Sequence, residues 1–231
     1  MHRLVHFRLC PFSRSVRLAL AELKIDVKLE DEKPWDWRPE FLALNPSGEL
    51  PVFCPEGLPP VCGTYAISEY LADSAGPPAA NAGLALFPGD AVQRAEVRRL
   101  ADWFHRKLNR EVTEPLLEEK IYSRFDTSGR RKPDADVLRQ ARANMRYHLG
   151  YLDFLTHDRN WLAGPEMSFA DLCVAAHLSC LDYLDEIAWD ERLAARQWYA
   201  RMKSRPSMRA ILAERAPGAP LPPQHYMDPD F

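Results

Sequence analysis

The sequence predicts an α/β domain followed by an all-helical domain. Three observations carry that reading. Residues 1–76 alternate strand-patterned and helix-patterned runs. Residues 77–89 are rich in Pro, Gly and Ala with no sustained period, as a linker is. From 90 to 215 the apolar residues recur at helical spacing.

Within the first domain, residues 3–9 (RLVHFRL) alternate apolar and polar side chains and read as a strand. A helix over 14–24 follows, with Ser13 in the N-cap position and Val16, Leu18 and Leu20 in its apolar run. Residues 25–30 form a second strand with Ile25, Val27 and Leu29 on one face. Residues 38–45 form a short helix with Pro39 in its first turn. LPVFC and PPVCG pair as an antiparallel hairpin around the turn PEGL. A helix over 64–76 ends near Gly76. The order is β-α-β-α-β-β-α.

In the second domain Val92, Leu100, Phe104, Leu108, Val112 and Leu116 recur at spacings of four or eight, one stripe of a long helix. Pro115 lies inside that stripe and is predicted to kink it. Leu138, Met145, Leu149, Leu152 and Leu155 mark a second long helix, and shorter ones follow at 168–184, 190–203 and 206–215. Residues 122–134 are a polar loop between the two long helices. The last segment, 216–231, has prolines at 217, 220, 222, 223 and 229 and is predicted to be extended and polyproline-like.

Composition narrows the function. A net charge of −3 argues against a nucleic-acid binder held by its overall field. No apolar run reaches the roughly 18–20 residues a membrane helix needs, and the N-terminus lacks a signal peptide's apolar core, which predicts a cytoplasmic protein without membrane insertion. The five cysteines have no CxxC or Cys/His spacing, so neither a disulfide framework nor a metal site is expected. Cys173 and Cys180, seven apart on one helix, read as core residues.

Four segments in order resemble the glutathione S-transferase superfamily over residues 3–215. CPFSRSVRLAL (10–20) is similar to its active-site loop and first helix. NPSGELPVF (45–53) is similar to the segment that ends in its cis-proline, here Pro51. TYAISEYL (64–71) is similar to its glutathione-binding helix start. GPEMSFADLCVAAHL (164–178) is similar to its capping-box helix, with Ser168 as cap and Asp171 at the third helical position. The resemblance implies a thioredoxin-like first domain, a helical second domain and a two-fold homodimer.

It also implies positions for a glutathione site: Cys10, Ser13, Leu50, Pro51, Gly63 and Thr64. A cysteine at the start of the first helix can act as a thiolate on glutathione. The superfamily usually carries an acidic residue and a serine where this chain has Gly63 and Thr64. Glycine supplies no charge for the ammonium of the γ-glutamyl group, and a lost charge-assisted contact costs about 1.5–3 kcal/mol. The site therefore reads as degenerate, with no required cofactor and glutathione bound weakly if at all. The other reading is a glutathione transferase or thiol reductase using Cys10.

The degenerate site together with the tail is similar to the glutathione-transferase-like cell-division factors of alphaproteobacteria that bind the tubulin-like FtsZ. That resemblance implies an adaptor for FtsZ or another cytoskeletal protein, recruited to the division site and free of required enzyme chemistry. Tyr226, Met227, Asp228, Asp230 and Phe231 supply anchor and charge types for a partner. Trp37, Arg124, Arg130 and Arg131 are further candidates.

Overall fold

The computed structural model describes residues 1–74, 84–125, 132–189, 192–217 and 219–228. A four-stranded sheet in the order β2-β1-β3-β4 forms the first domain, from β1 (Arg3–His6), β2 (Lys28–Asp31), β3 (Val52–Cys54) and β4 (Val61–Cys62). β1 runs parallel to β2 with Arg3 opposite Lys28, and antiparallel to β3 with Arg3 opposite Cys54. Helices α1 (Pro11–Glu22), α2 (Pro39–Leu44) and α3 (Thr64–Ser74) complete the predicted order.

Three boundaries differ from the sequence reading. The first strand stops at His6 because the chain turns at once, with the Cys10 amide donating to the Phe7 carbonyl (3.0 Å). α1 therefore begins earlier than predicted, with Cys10 as N-cap and Pro11 in its first turn, where a missing N–H costs nothing. β2 starts only at Lys28, since Lys24 takes a left-handed conformation (φ 56°) to leave α1. β2 is an edge strand whose Leu29 is exposed, and its Lys28, Glu30 and Asp31 blunt that edge against pairing.

The helical domain opens with α4 (Ala91–Asp102), whose Asp90 and Gln93 form a capping box. It continues as a π-helical segment (Trp103–Thr113) into α5 (Glu114–Lys120). The sequence carries the reason. Leu100, Phe104, Leu108, Val112 and Leu116 are all buried at a strict spacing of four, which a 3.6-residue turn cannot keep on one face. Wider i→i+5 turns restore it. Pro115 has no N–H for the Glu111 carbonyl, and Asn144 Nδ2 donates to that oxygen instead (3.1 Å). Val92, placed in the stripe by its spacing, is 77% exposed in the first turn of α4.

α6 (Ala135–His157) is capped by Asp134, α7 (Phe169–Tyr183) is buried on every side, and α8 (Leu193–Lys203) and α9 (Pro206–Ala213) pack beyond it. Ser168 and Asp171 form the predicted capping box, and the Asp171 carboxylate also accepts from the Leu162 amide (3.0 Å) and Trp198 Nε1 (3.2 Å). Leu86, in the predicted linker, is buried, and its carbonyl accepts from the Phe169 amide (2.8 Å). The helix end near Gly76 lies outside the described residues.

α1 and α7 form the joint between the domains. Arg14 is buried there, donating through Nε to the Arg8 carbonyl (2.7 Å) and through Nη1 to Ser179 Oγ (2.7 Å). Arg17 makes a bidentate pair with Glu214, and Arg205 with Glu22.

The tail corrects the sequence reading. Beyond Pro223 the chain forms a 3-10 turn (Gln224–Met227) that drives Tyr226 fully into the core, edge-on to Tyr183 (5.3 Å). Lys203 Nζ donates to the His225 carbonyl (2.9 Å), and the Tyr183 hydroxyl to the Pro220 carbonyl (2.8 Å). Proline excludes a helix from 220–223 but does not stop the chain that follows from docking.

Candidate functional site

The end of β1 and the start of α1 place Cys10 and Ser13. Cys10 Sγ caps α1 by accepting from the Ser13 amide (3.4 Å). Burial pushes the Cys10 thiol up, and the hydrogen bonds around Ser13 and the charge of Arg14 only partly oppose this. A cysteine activated for attack shows the opposite shift, so at neutral pH Cys10 carries a thiol. Ser13 is fully buried, with Oγ accepting from the Phe7 amide (3.4 Å). It braces the loop and is not the cap that the sequence suggests.

The opposite wall comes from the cis Leu50–Pro51 peptide and the start of α3. Gly63 has φ 85°, with its amide donating to the Pro51 carbonyl (3.1 Å). Neither Gly63 nor the adjoining Cys62, Thr64 and Tyr65 supplies an acidic side chain. Thr64 is buried, and its hydroxyl points across to the Phe12 carbonyl (3.5 Å). The fold thus brings the two halves of the predicted glutathione site together, with no acidic side chain at positions 62–65.

Beside Cys10 the joint is filled with rings. Trp35 packs edge-on to Phe7 (5.0 Å), tilted on Tyr122 (5.3 Å) and stacked on Phe125 (5.0 Å), with Lys33 Nζ over Phe125 (5.5 Å). Tyr122 and Phe125 come from the segment read as a polar loop. Its first residues are instead an aromatic plug between the domains.

Under Phe12 lies a constellation that the sequence did not disclose. The His105 ring stacks on Phe12 (4.8 Å), with Nε2 at 3.1 Å from Ser15 Oγ and Nδ1 at 3.0 Å from His177 Nε2. His177 Nδ1 lies 2.9 Å from Thr113 Oγ1. A serine, a base and a second histidine in line have the geometry of a nucleophile and its relay. Here Ser15, His105 and His177 are all buried, and burial lowers the His105 pKa to about 3 and holds that of His177 well below the usual imidazole value. No substrate reaches Ser15. Four residues from α1, the π-helical segment and α7 meet only in three dimensions, and no local spacing signals them.

The predicted partner residues divide. Trp37 is 62% exposed and held left-handed (φ 46°) after a short 3-10 turn, its ring lying over Gly48. A non-glycine residue held there costs free energy, a pattern that concentrates at functional positions. Met227 is half exposed and Asp228 exposed. The Met227 sulfur lies 3.8 Å from Arg215, whose carbonyl accepts from Arg8 (3.2 Å). A cleft of about 250 Å³ between Arg8, Asp31, Arg38 and Pro217 brings the loop carrying Trp37 beside the base of the tail. Arg124 is exposed, with Nε donating to the Lys120 carbonyl (2.7 Å). Tyr226 is a core residue and cannot be a surface anchor. Arg130, Arg131, Asp230 and Phe231 lie outside the described residues. Among the described residues no cluster of side chains could hold a metal, and no helix is long and apolar enough to cross a membrane.

Comparison with known proteins agrees with this architecture. Residues 4–79 match the family model described as the glutathione S-transferase N-terminal domain, and residues 114–206 match its C-terminal domain. FtsZ-localized protein A of Caulobacter vibrioides is 43% identical over 229 residues, covering 98% of this chain and 96% of that protein. A crystal structure of a glutathione S-transferase from Sinorhizobium meliloti is 44% identical and superposes with a TM-score of 0.94 over 100% of both chains. The structure of FzlA from C. crescentus gives 42% identity and a TM-score of 0.91 over 100% of this chain and 99% of that one.

Proposed function

Because the chain belongs to the glutathione S-transferase family, we propose that it uses that fold as a binding scaffold for FtsZ filaments in cell division and not as a glutathione enzyme. The observation that carries this reading is the near-full-length relative at 43% identity whose name records FtsZ localisation. The site supports the same direction. Its cysteine is held as a thiol, its charge partner for glutathione is absent at Gly63, and rings fill the joint beside it.

The filament-facing surface in this proposal runs from Trp37 across the Arg8–Arg38 cleft to Met227 and Asp228. An exposed tryptophan of fixed geometry brings large contact area with little ordering cost, as binding hot spots do. A two-fold dimer would present that surface twice and add avidity between neighbouring filaments. The exposed Tyr147 (61%) and Phe154 (72%), seven residues apart on α6, support such pairing. The protein would act in the cytoplasm and be recruited to the division site.

Co-sedimentation with FtsZ polymers tests the reading directly. Wild type should pellet with filaments, and Trp37→Ala should lose at least tenfold in affinity with an unchanged melting temperature, as about 1.4 kcal/mol or more at a hot spot implies. No co-sedimentation of the wild type would defeat it. Light scattering should give twice the 26.5 kDa chain mass. The enzyme reading keeps one observation in its favour, the cysteine at the N-terminus of α1. Micromolar affinity for glutathione by calorimetry would restore it.

A further inference from the structure

We infer that Thr113, His177, His105 and Ser15 form a hydrogen-bonded chain of one fixed direction that locks the Cys10 loop to the helical domain and releases it when an imidazole is protonated. Direction follows from counting protons. Ser15 Oγ donates to the Phe12 carbonyl (2.9 Å), so toward His105 it can only accept. His105 must then carry its proton on Nε2, which leaves Nδ1 as an acceptor. His177 Nε2, 3.0 Å away, must be the donor there, and its own Nδ1 accepts from the Thr113 hydroxyl (2.9 Å).

Every hydrogen in this order has an acceptor. In the reverse order Ser15 would donate to His105 and leave its oxygen 2.9 Å from the Phe12 carbonyl oxygen with no proton between the two. Thr113 would then have to turn its proton away from His177. Since an unmade hydrogen bond in a buried place is costly, the forward order holds.

The chain ties three elements together. Phe12 and Ser15 open α1, His105 and Thr113 lie one turn or more apart on the π-helical segment, and His177 sits inside α7. Both ends of the chain are hydroxyls and both middle members are neutral, so one added proton turns an acceptor into a second donor facing a donor. The groups around the pair offer no compensation. Tyr65 of α3 meets His105 edge-on (6.0 Å), Phe12 and Phe169 cover the rings, and His148 of α6 is the further charge acting on His177. No carboxylate faces either ring among the groups that act on them. The lock is therefore closed at neutral pH and opened by acid.

Nitrogen-detected histidine NMR of the full-length protein tests this. In wild type at pH 7 both rings should be neutral with the proton on Nε2, and they should stay neutral at pH 5.5. An Nδ1–H form of either ring, or titration of either near pH 6.5 in the folded protein, would overturn the inference. Ser15→Ala removes the group that sets the direction, so both rings should switch to Nδ1–H and donate toward Thr113. Unswitched rings in a folded Ser15→Ala protein would refute the fixed direction. Should that variant not fold, Thr113→Val serves instead. It deprives His177 Nδ1 of its donor and should raise the pH of half-unfolding above that of wild type, with amide exchange at the first turn of α1 faster by at least tenfold at pH 5.5. Unchanged exchange there would refute the lock.

Discussion

Replacing Tyr226 with alanine measures how far the tail belongs to the fold. The Tyr226 ring is fully buried against Tyr183, and its hydroxyl lies by the Arg14 guanidinium, with burial pushing the phenol up to about 12. Truncating a buried aromatic costs about 3–5 kcal/mol in lost packing and cavity. The contacts that seat the 3-10 turn depend on the same docking: Lys203 to the His225 carbonyl (2.9 Å) and His225 Nε2 to Asp182 Oδ1 (3.2 Å). For a chain of this size each kcal/mol moves the melting temperature by roughly 2–4 °C. Tyr226→Ala should therefore lower the thermal midpoint by about 10 °C, read by calorimetry at pH 7. Tyr226→Phe, which keeps the ring, should cost only about 1 kcal/mol. Asp228→Lys, at an exposed position, should melt within about 2 °C of wild type, as surface changes usually do, and show its effect in filament binding instead. A Tyr226→Ala protein that melts with the wild type would refute the docking, and with it the separation of structural from partner-facing tail residues.

Three further outcomes are expected. Asp171→Ala strands the Ser168 and Leu162 amides and Trp198 Nε1 in the core, at about 1–3 kcal/mol for each unsatisfied group, and should shift the urea midpoint sharply or prevent soluble folding. His6 is buried beside Arg17 with its pKa lowered to about 4. Its stabilising contribution is full above the unfolded value near 6.5 and is lost toward pH 4, so His6→Phe should flatten the decline in melting temperature between pH 6.5 and 4.5, where each unit costs about 1.4 kcal/mol per such imidazole. Iodoacetamide should alkylate Cys10 far more slowly in the folded protein than in urea at pH 7, and Cys10→Ala should co-sediment with FtsZ polymers like wild type. Rapid alkylation of the native thiol would contradict its raised pKa.

Periodicity and punctuation alone determined the domain order, the hairpin, the cap at Ser168 and the placing of Cys10 before the first helix, because these depend on neighbours a few residues apart. The strict spacing of four from Leu100 to Leu116 also held the π-helical segment in plain view, although it reads at first as an ordinary stripe. Tertiary structure alone decided what happens at the joint. Whether Cys10 is a thiolate or a thiol depends on Arg14 and on how deeply the fold buries the sulfur, which no local pattern encodes. Tyr122 and Phe125 look like parts of a polar loop until Trp35, brought from the other domain, packs against both rings. Tyr226 follows a run of prolines and reads as a free anchor, yet the pocket that receives it is built from Tyr183 and Arg14, 43 and 212 positions earlier in the chain. Burial and pairing are set by whatever the chain folds beside a residue, so local sequence fixes the elements and distant residues settle the chemistry.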